Sequence, residues 1–246
     1  MLNKIVELGY SKIEAQELMK VSKNIDEDYK KLLNQYPIQY LIGYVNFYGY
    51  KINVNENVLI PRYETEYLVE KTIKYIKDNF NSKINILDLC TGSGSIAISL
   101  SKELNCIVDA SDISSKALEI AKINANENNA DINYIESDLF DKINGKYDVI
   151  ISNPPYISKN EEIMYSVDKY EPHEALYADD EGLFYYDKIL SEIKNYLNNK
   201  YIIAFEIGYT QGEKIKKLAE KYLNNPKVLI EKDLSNKDRY VFIFSK

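Results

Sequence analysis

A chain of 246 residues with 45% hydrophobic side chains is long enough to bury a sizeable core, and its 38 acidic against 31 basic residues give a formal charge of −7. That balance excludes a global basic field of the kind that grips a nucleic-acid backbone. Two cysteines, no secretory or transit signature and no apolar run near the roughly 20 residues of a membrane span together point to a reducing, cytoplasmic setting without a membrane.

Residues 1–36 are expected to form short helices, because Leu2, Ile5, Val6 and Ile13 recur at helical spacing and Ser11-Lys12-Ile13-Glu14 has the form of a capping box. Residues 37–60 form a linker and a β-hairpin, since Val45 to Val54 alternates apolar and polar residues on both sides of Gly49. Ile60-Pro61-Arg62 closes that segment and a helix follows to about Phe80. In residues 61–246, strand-like and helix-like stretches then alternate: strands at Ile84 to Leu89, Cys106 to Ala110, Ile132 to Glu136 and Tyr147 to Ile151, with helices at Ser95 to Glu103 and Ser114 to Asn128. After a long irregular loop come a helix from Leu183 to Leu197, a strand from Tyr201 to Glu206, a helix from Gln211 to Tyr222 and a closing strand pair, Val228 to Glu231 and Tyr240 to Phe244. Strands alternating with helices imply parallel βαβ units, hence a doubly wound α/β sheet.

In such a sheet the ligand loops lie at the carboxyl ends of the strands. Asp88-Leu89-Cys90-Thr91-Gly92-Ser93-Gly94 follows the first strand, and glycines there admit a ligand against backbone amides. The next strand leads to Ser111-Asp112, about 20 residues on, where a carboxylate can accept both hydroxyls of a ribose. Asp109 competes on position alone but falls inside the strand, so Asp112 is preferred. Ser137-Asp138-Leu139-Phe140 ends the third strand with a polar acceptor and apolar faces suited to adenine.

The fourth strand stops at Asn153-Pro154-Pro155-Tyr156. Prolines cannot donate to a ladder, so the strand ends there for a reason other than length. Asn153 offers a side-chain carbonyl, Pro154 a stiffened backbone carbonyl and Tyr156 a π face. Two acceptors and a flat wall fit a planar NH2, such as an amide or the exocyclic amine of a base. Beside an adenosine-bearing ligand, the matching reaction is methyl transfer from S-adenosylmethionine. It needs no strong base and no metal, and the lone His173, in the polar loop Tyr170-Glu171-Pro172-His173-Glu174, is taken as a solvated residue.

Asp88 to Gly94, Ser137 to Phe140 and Asn153 to Tyr156, in this order, resemble amino-group methyltransferases of the Rossmann-like class. Pro37-Ile38-Gln39-Tyr40-Leu41-Ile42-Gly43, Leu59-Ile60-Pro61-Arg62-Tyr63-Glu64-Thr65-Glu66, Glu171-Pro172-His173-Glu174-Ala175-Leu176 and Glu206-Ile207-Gly208-Tyr209-Thr210-Gln211-Gly212 narrow the resemblance to the release factor glutamine methyltransferases. These methylate the side-chain amide of the Gln in the Gly-Gly-Gln loop of class 1 peptide chain release factors, in support of translation termination. The resemblance implies a mainly parallel, seven-stranded sheet with a closing antiparallel strand, and S-adenosylmethionine as cofactor. It implies that Cys90, Thr91, Gly92, Ser93 and Gly94 wrap the methionine end, that Asp112 binds the ribose, that Asp138 and Leu139 border the adenine, and that Asn153 also borders the cofactor. Asn153, Pro154, Pro155 and Tyr156 would hold the glutamine amide, and Pro61 to Glu66 would contribute a pocket wall.

Three departures stand out. Cys90 replaces a usual Gly, Tyr63 replaces the usual Pro of the Pro-Arg-Pro-Glu-Thr pattern, and the N-terminal helical region is expected to be shortened by several helices. The rival is a nucleic acid amino-methyltransferase acting on DNA adenine or RNA guanine, which would call for a basic face or a target-recognition domain that the sequence does not display. A noncatalytic cofactor-binding module is disfavoured because every expected pocket residue is present. No stable nucleic acid or membrane partner is expected.

Overall fold

The computed structural model describes residues 1–246. Three helices, α1 (Leu2–Glu7), α2 (Lys12–Val21) and α3 (Ile25–Leu33), open the chain. The capping box forms: Glu14 N donates to Ser11 Oγ at 3.2 Å, and Ser11 N donates to Glu14 Oε2 at 2.9 Å. With a further short helix, α4 (Ile38–Ile42), they enclose a small core of Ile5, Ala15, Leu18, Leu32 and Ile38. Strands β1 (Tyr44–Phe47) and β2 (Tyr50–Asn53) make the hairpin, and α5 (Tyr63–Asn79) leads into the main sheet.

β3 (Ile86–Leu89), α6 (Ser95–Leu104), β4 (Val108–Asp112), α7 (Ser115–Asn128), β5 (Ile132–Glu136) and β6 (Tyr147–Ser152) follow in the expected order, with β4 two residues later than expected, so that Asp112 is its last residue. Residues 153–182 are not one irregular loop. They contain β7 (Ile157–Ser158), α8 (Tyr165–Tyr170), β8 (Tyr177–Ala178) and the single turn α9 (Asp179–Gly182). These pieces are too short for a periodic signal, and α8 buries no residue at all. The remaining elements are α10 (Phe184–Glu192), β9 (Leu197–Glu206), α11 (Gly212–Tyr222), β10 (Lys227–Lys232) and β11 (Asp238–Phe244). The expected helix to Leu197 breaks at Glu192 into a 3-10 turn, and β9 begins at Leu197, which pairs with Tyr147. Polar Asn198, Asn199 and Lys200 hide that early start in the sequence.

The seven strands are ordered β10-β11-β9-β6-β3-β4-β5. β9, β6, β3, β4 and β5 pair in parallel, and β11 runs antiparallel to both neighbours, inserted between β10 and β9 rather than at the edge. Adjacent strand residues face opposite layers. Ile86, Val149 and Ile202 join a core with Leu68 and Ile73 of α5 and Ile98 of α6, whereas Leu87, Ile150 and Ile203 pack with Ile189 of α10 and Ile215 of α11. Burial on both faces explains why these strands are near-continuous hydrophobic runs. The order changes direction at β3, where the chain goes out through β4 and β5 and returns through β6, and a ligand crevice opens beyond the strand ends at such a point. No helix is long and apolar enough to cross a membrane.

The chain leaving β6 is pinned from below. Gly182 has φ +82°, and a Cβ built there would lie 2.0 Å from the Tyr156 carbonyl oxygen. Gly182→Ala should therefore cost about 2–4 kcal/mol through left-handed strain and backbone displacement. That corresponds to a melting temperature lowered by roughly 5–15 °C, and an unchanged thermal transition would contradict this packing.

Candidate active site

The carboxyl ends of β3 to β6 converge on a cavity of about 230 Å³. Cys90, Thr91, Gly92 and Ser93 form one wall, Asp112 another, and Asp138 with Leu139 a third, so these predicted positions are brought together. Gly94 is not among the lining residues. It caps the start of α6 with φ +81°, and a Cβ there would meet Ala121 Cβ at 3.0 Å, so its smallness serves helix packing. Cys90 has φ +63°, a left-handed conformation that costs a residue with a side chain about 1–2 kcal/mol, which is the physical reason that a glycine suits this position.

Asp112 receives two backbone amides, Gly92 N on Oδ2 at 2.8 Å and Ser114 N on Oδ1 at 2.9 Å. Each oxygen keeps a lone pair for a hydroxyl of a ligand. Burial pushes the Asp112 carboxyl above its ordinary value, against the hydrogen bonds from Ser114 and Gly92. Asp109 is elsewhere, accepting from Asn133 Nδ2 at 2.9 Å and the Tyr147 hydroxyl at 2.8 Å. Asp138 forms an ion pair with Lys188 at 3.2 Å on the cavity wall. Phe140, expected as an apolar face for adenine, instead turns into the core and stacks on Tyr196 at 4.4 Å. Ser111 also lines the cavity, and its hydroxyl oxygen is buried without a protein partner.

Asn153 lies at the wall of this cavity and of a second one, about 390 Å³, bounded by Arg62, Tyr156, Ile157, Met164, Leu176 and Glu206 among others. Pro155 lines the first cavity and Tyr156 the second, while Pro154 is buried and lines neither, so its ring does not shape them. Asn153 Nδ2 donates to Thr65 Oγ1 at 3.4 Å, Thr65 Oγ1 donates to Glu206 Oε2 at 2.7 Å, and the Tyr156 hydroxyl donates to Glu206 Oε1 at 3.3 Å. Glu206 is only 1% exposed, and its burial raises the carboxyl above its ordinary value despite Thr65, Arg239 and Tyr156. Burial likewise raises the Tyr156 phenol.

The stretches outside the four strand ends form the supports. Tyr40 donates to the Val58 carbonyl at 2.8 Å, behind the first cavity. Buried Glu171 accepts from Ile60 N at 3.1 Å and pairs with Arg62, which ties the Pro61 loop to the segment before β8. Gln211 Nε2 donates to the Tyr156 carbonyl at 2.9 Å. Sequence reasoning placed Thr65 only within the Pro61 to Glu66 pocket wall, where it does line the first cavity, and assigned no role to Glu171, Glu206 or Gln211. A charged residue closing the apolar run Tyr201 to Phe205 was the available signal for Glu206. His173 is exposed, as expected, and opens a 3-10 turn rather than lying in a loop, with its ring bonded to the Asp168 carbonyl at 2.6 Å.

A doubly wound sheet with its cavity at the switch between β3 and β6, in a chain whose residues 66–169 match the methyltransferase small domain family, defines a Rossmann-like methyltransferase. The fold is similar to a methyltransferase from Pyrococcus furiosus, with a TM-score of 0.58 at 20% identity over 80% of this chain and 89% of that one. It is also similar to the Thermus thermophilus 16S rRNA N2 G1207 methyltransferase solved with AdoMet and guanosine, with a TM-score of 0.60 at 13% identity over 82% and 50% of the two chains. In sequence, the chain is 42% identical to a release factor glutamine methyltransferase from Lactococcus lactis over 98% of its length and 89% of the relative's. It is 41% identical to one from Streptococcus pneumoniae over 89% and 78%. The chain belongs to the release factor glutamine methyltransferase family.

Beneath the glycine loop, fully buried Asp88 accepts from Thr91 Oγ1 at 2.5 Å and Ala97 N at 3.1 Å through Oδ2, and its Oδ1 has no partner. Burial outweighs those bonds and pushes its carboxyl up to about 7. The unfolded carboxyl titrates near about 3.9, so the stability that protonation contributes is complete below that pH and is lost as pH rises through about 7. Asp88→Asn, which removes the titration, should gain unfolding free energy relative to the wild type from pH ~4 to ~8 in urea titrations. A difference independent of pH across that window would contradict a raised Asp88.

Proposed function

We infer that this chain transfers a methyl group from S-adenosylmethionine to the side-chain amide nitrogen of the Gln in the Gly-Gly-Gln loop of class 1 peptide chain release factors. The observation that carries the reading is Asn153, which lines both cavities and so stands where a methyl donor in one would meet an acceptor in the other.

The first cavity fits such a cofactor by its donor set. Asp112 keeps free lone pairs for ribose hydroxyls, and Asp138 and Leu139 offer an acceptor and an apolar wall for adenine. At Gly92 a Cβ would meet no protein atom within 4 Å, so the backbone there is open to the cavity. Cys90 to Ser93 would hold the methionine end. When bound, S-adenosylmethionine supplies a methyl group on a positively charged sulfonium.

The second cavity takes the glutamine amide. Asn153 Oδ1 accepts one of its N–H bonds and the Tyr156 ring forms a wall, while the Pro154 carbonyl, which lines neither cavity in this structure, would have to come within reach to accept the other. Those contacts draw the nitrogen lone pair out of conjugation and aim it at the first cavity. Transfer would form the N–CH3 bond as the sulfonium S–CH3 bond breaks, leaving a neutral thioether and a cationic amide acidic enough to lose one proton to water, so no side chain would have to act as a strong base. Fixing the amide in place removes the orientational part of the barrier. The helices of residues 1–36, with exposed Ile13 and Leu33, serve as contacts for the release factor outside the catalytic domain 61–246.

Incubation with purified release factors and isotope-labelled cofactor, followed by peptide mass analysis, tests this reading. Label is expected at the loop Gln and not in duplex DNA or total RNA. Asn153→Ala should lower turnover by about 100-fold or more while cofactor affinity stays within a few fold. Label in nucleic acid with the release factor unmodified would replace this reading with the amino-methyltransferase of bases.

A further inference from the structure

We propose that Thr65 and Glu206 are a positioning pair that fixes which end of the Asn153 amide faces the acceptor, an inference that rests on the function proposed above. A threonine hydroxyl has one proton to give. In this structure it goes to Glu206 Oε2 at 2.7 Å, the shorter of the Thr65 contacts. Toward Asn153 the hydroxyl is therefore an acceptor only, and the amide must present Nδ2 to it, as it does at 3.4 Å. Asn153 Oδ1 is then the end available to the substrate.

The reverse orientation would set the Asn153 NH2 against the NH2 of the acceptor, donor against donor, and remove one of the two acceptors on which the chemistry depends. An asparagine amide is nearly symmetric in shape, so packing alone discriminates weakly between its two orientations. A carboxylate two hydrogen bonds away discriminates by proton count, because Glu206 when ionised has no proton to give back. The same carboxylate takes the Tyr156 hydroxyl at 3.3 Å, so one buried group orders both side chains of the acceptor wall.

Glu206 is faced by Thr65 and Glu64 from α5, by Tyr156 from the chain beyond β6 and by Arg239 from β11. The hydroxyl of Tyr186, on α10, donates to its backbone carbonyl at 2.6 Å. Arg239 spends its hydrogen bonds on the Ile207 carbonyl at 3.2 Å and on Asp233 at 3.3 Å, so it acts on Glu206 as a charge that favours ionisation without occupying either oxygen. A protonated Glu206 could donate to Thr65 and reverse the whole chain, which makes the Asn153 orientation sensitive to acid.

Two measurements test the pair. The first needs no acceptor: the Asn153 side-chain NH2 resonance, assigned in 15N-Asn-labelled protein by its loss in Asn153→Ala, is followed through an acid titration. It should shift with the titration of Glu206 in the wild type and stay fixed in Thr65→Val, which keeps the shape and removes the hydroxyl. In the second, with release factor as acceptor, Thr65→Val should lose about 30- to 100-fold in kcat, with KM and cofactor Kd within about threefold, and Thr65→Ser should recover to within about fivefold of wild type. An Asn153 resonance indifferent to acid in the wild type, or equal turnover by the valine variant and the wild type, would overturn the proposal. If the wild type leaves release factor unlabelled while the resonance behaves as described, the substrate assignment fails and the positioning pair stands.

Discussion

In the parallel register of β3 and β6, Leu89 lies opposite Ser152, and the Ser152 hydroxyl donates to the Leu89 carbonyl at 2.6 Å. The residue after Leu89 is Cys90, where the glycine loop begins. The residue after Ser152 is Asn153, where the loop of the proposed acceptor site begins. One buried contact between two core strands therefore sets the separation between the two halves of the site. Rigid strands hold that separation better than loops could, since both strands are buried on both faces. The loops above need only be held in shape, and each has its own clamp: Asp88 and Asp112 under the glycine loop, and Gln211, Gly182 and Glu206 around Tyr156.

The clamps carry a cost in burial that the site requires. Asp88 and Glu206 are both buried carboxyls whose burial disfavours the charged form. Asp88 holds backbone and a threonine, whereas Glu206 holds the side chains of Thr65 and Tyr156. Two of the three departures from the family pattern are local and have local accommodations. Cys90 takes a left-handed conformation, and Tyr63 occupies the first position of α5, where proline is pre-organised, with its ring against Tyr67 at 5.3 Å.

What the sequence disclosed follows from the range of each interaction. The β3 to β6 series was legible because strands buried on both faces are continuous apolar runs, and because helix starts such as Ser11 and Ser114 carry side-chain caps. Asp112 could be chosen over Asp109 because a strand-end acid faces the crevice, as it does here. Residues 153–182 were not legible: β7 and β8 have two residues each, and α8 is held by contacts remote in sequence, such as Tyr170 to the Asn34 carbonyl at 3.0 Å. The same limit hid the insertion of β11 between β10 and β9, since pairing order is no property of a local window. Thr65 and Glu206 are 141 residues apart, and only the fold brings one to the other. Phe140 shows the opposite failure, in which a stretch whose first three residues line the cavity was extended to a side chain that turns into the core.

The central claim is that the cofactor cavity and the acceptor cavity meet at Asn153. A crystal structure with S-adenosylhomocysteine and a peptide or release factor containing the Gly-Gly-Gln loop tests it most directly. The account predicts the glutamine Nε2 at hydrogen-bond distance, about 2.9 Å, from both Asn153 Oδ1 and the Pro154 carbonyl, with the sulfur on the far side of Asn153 beside Asp112 and the glycine loop. A glutamine amide seated away from Asn153, or a cofactor outside the cavity of Gly92 and Asp112, would contradict it.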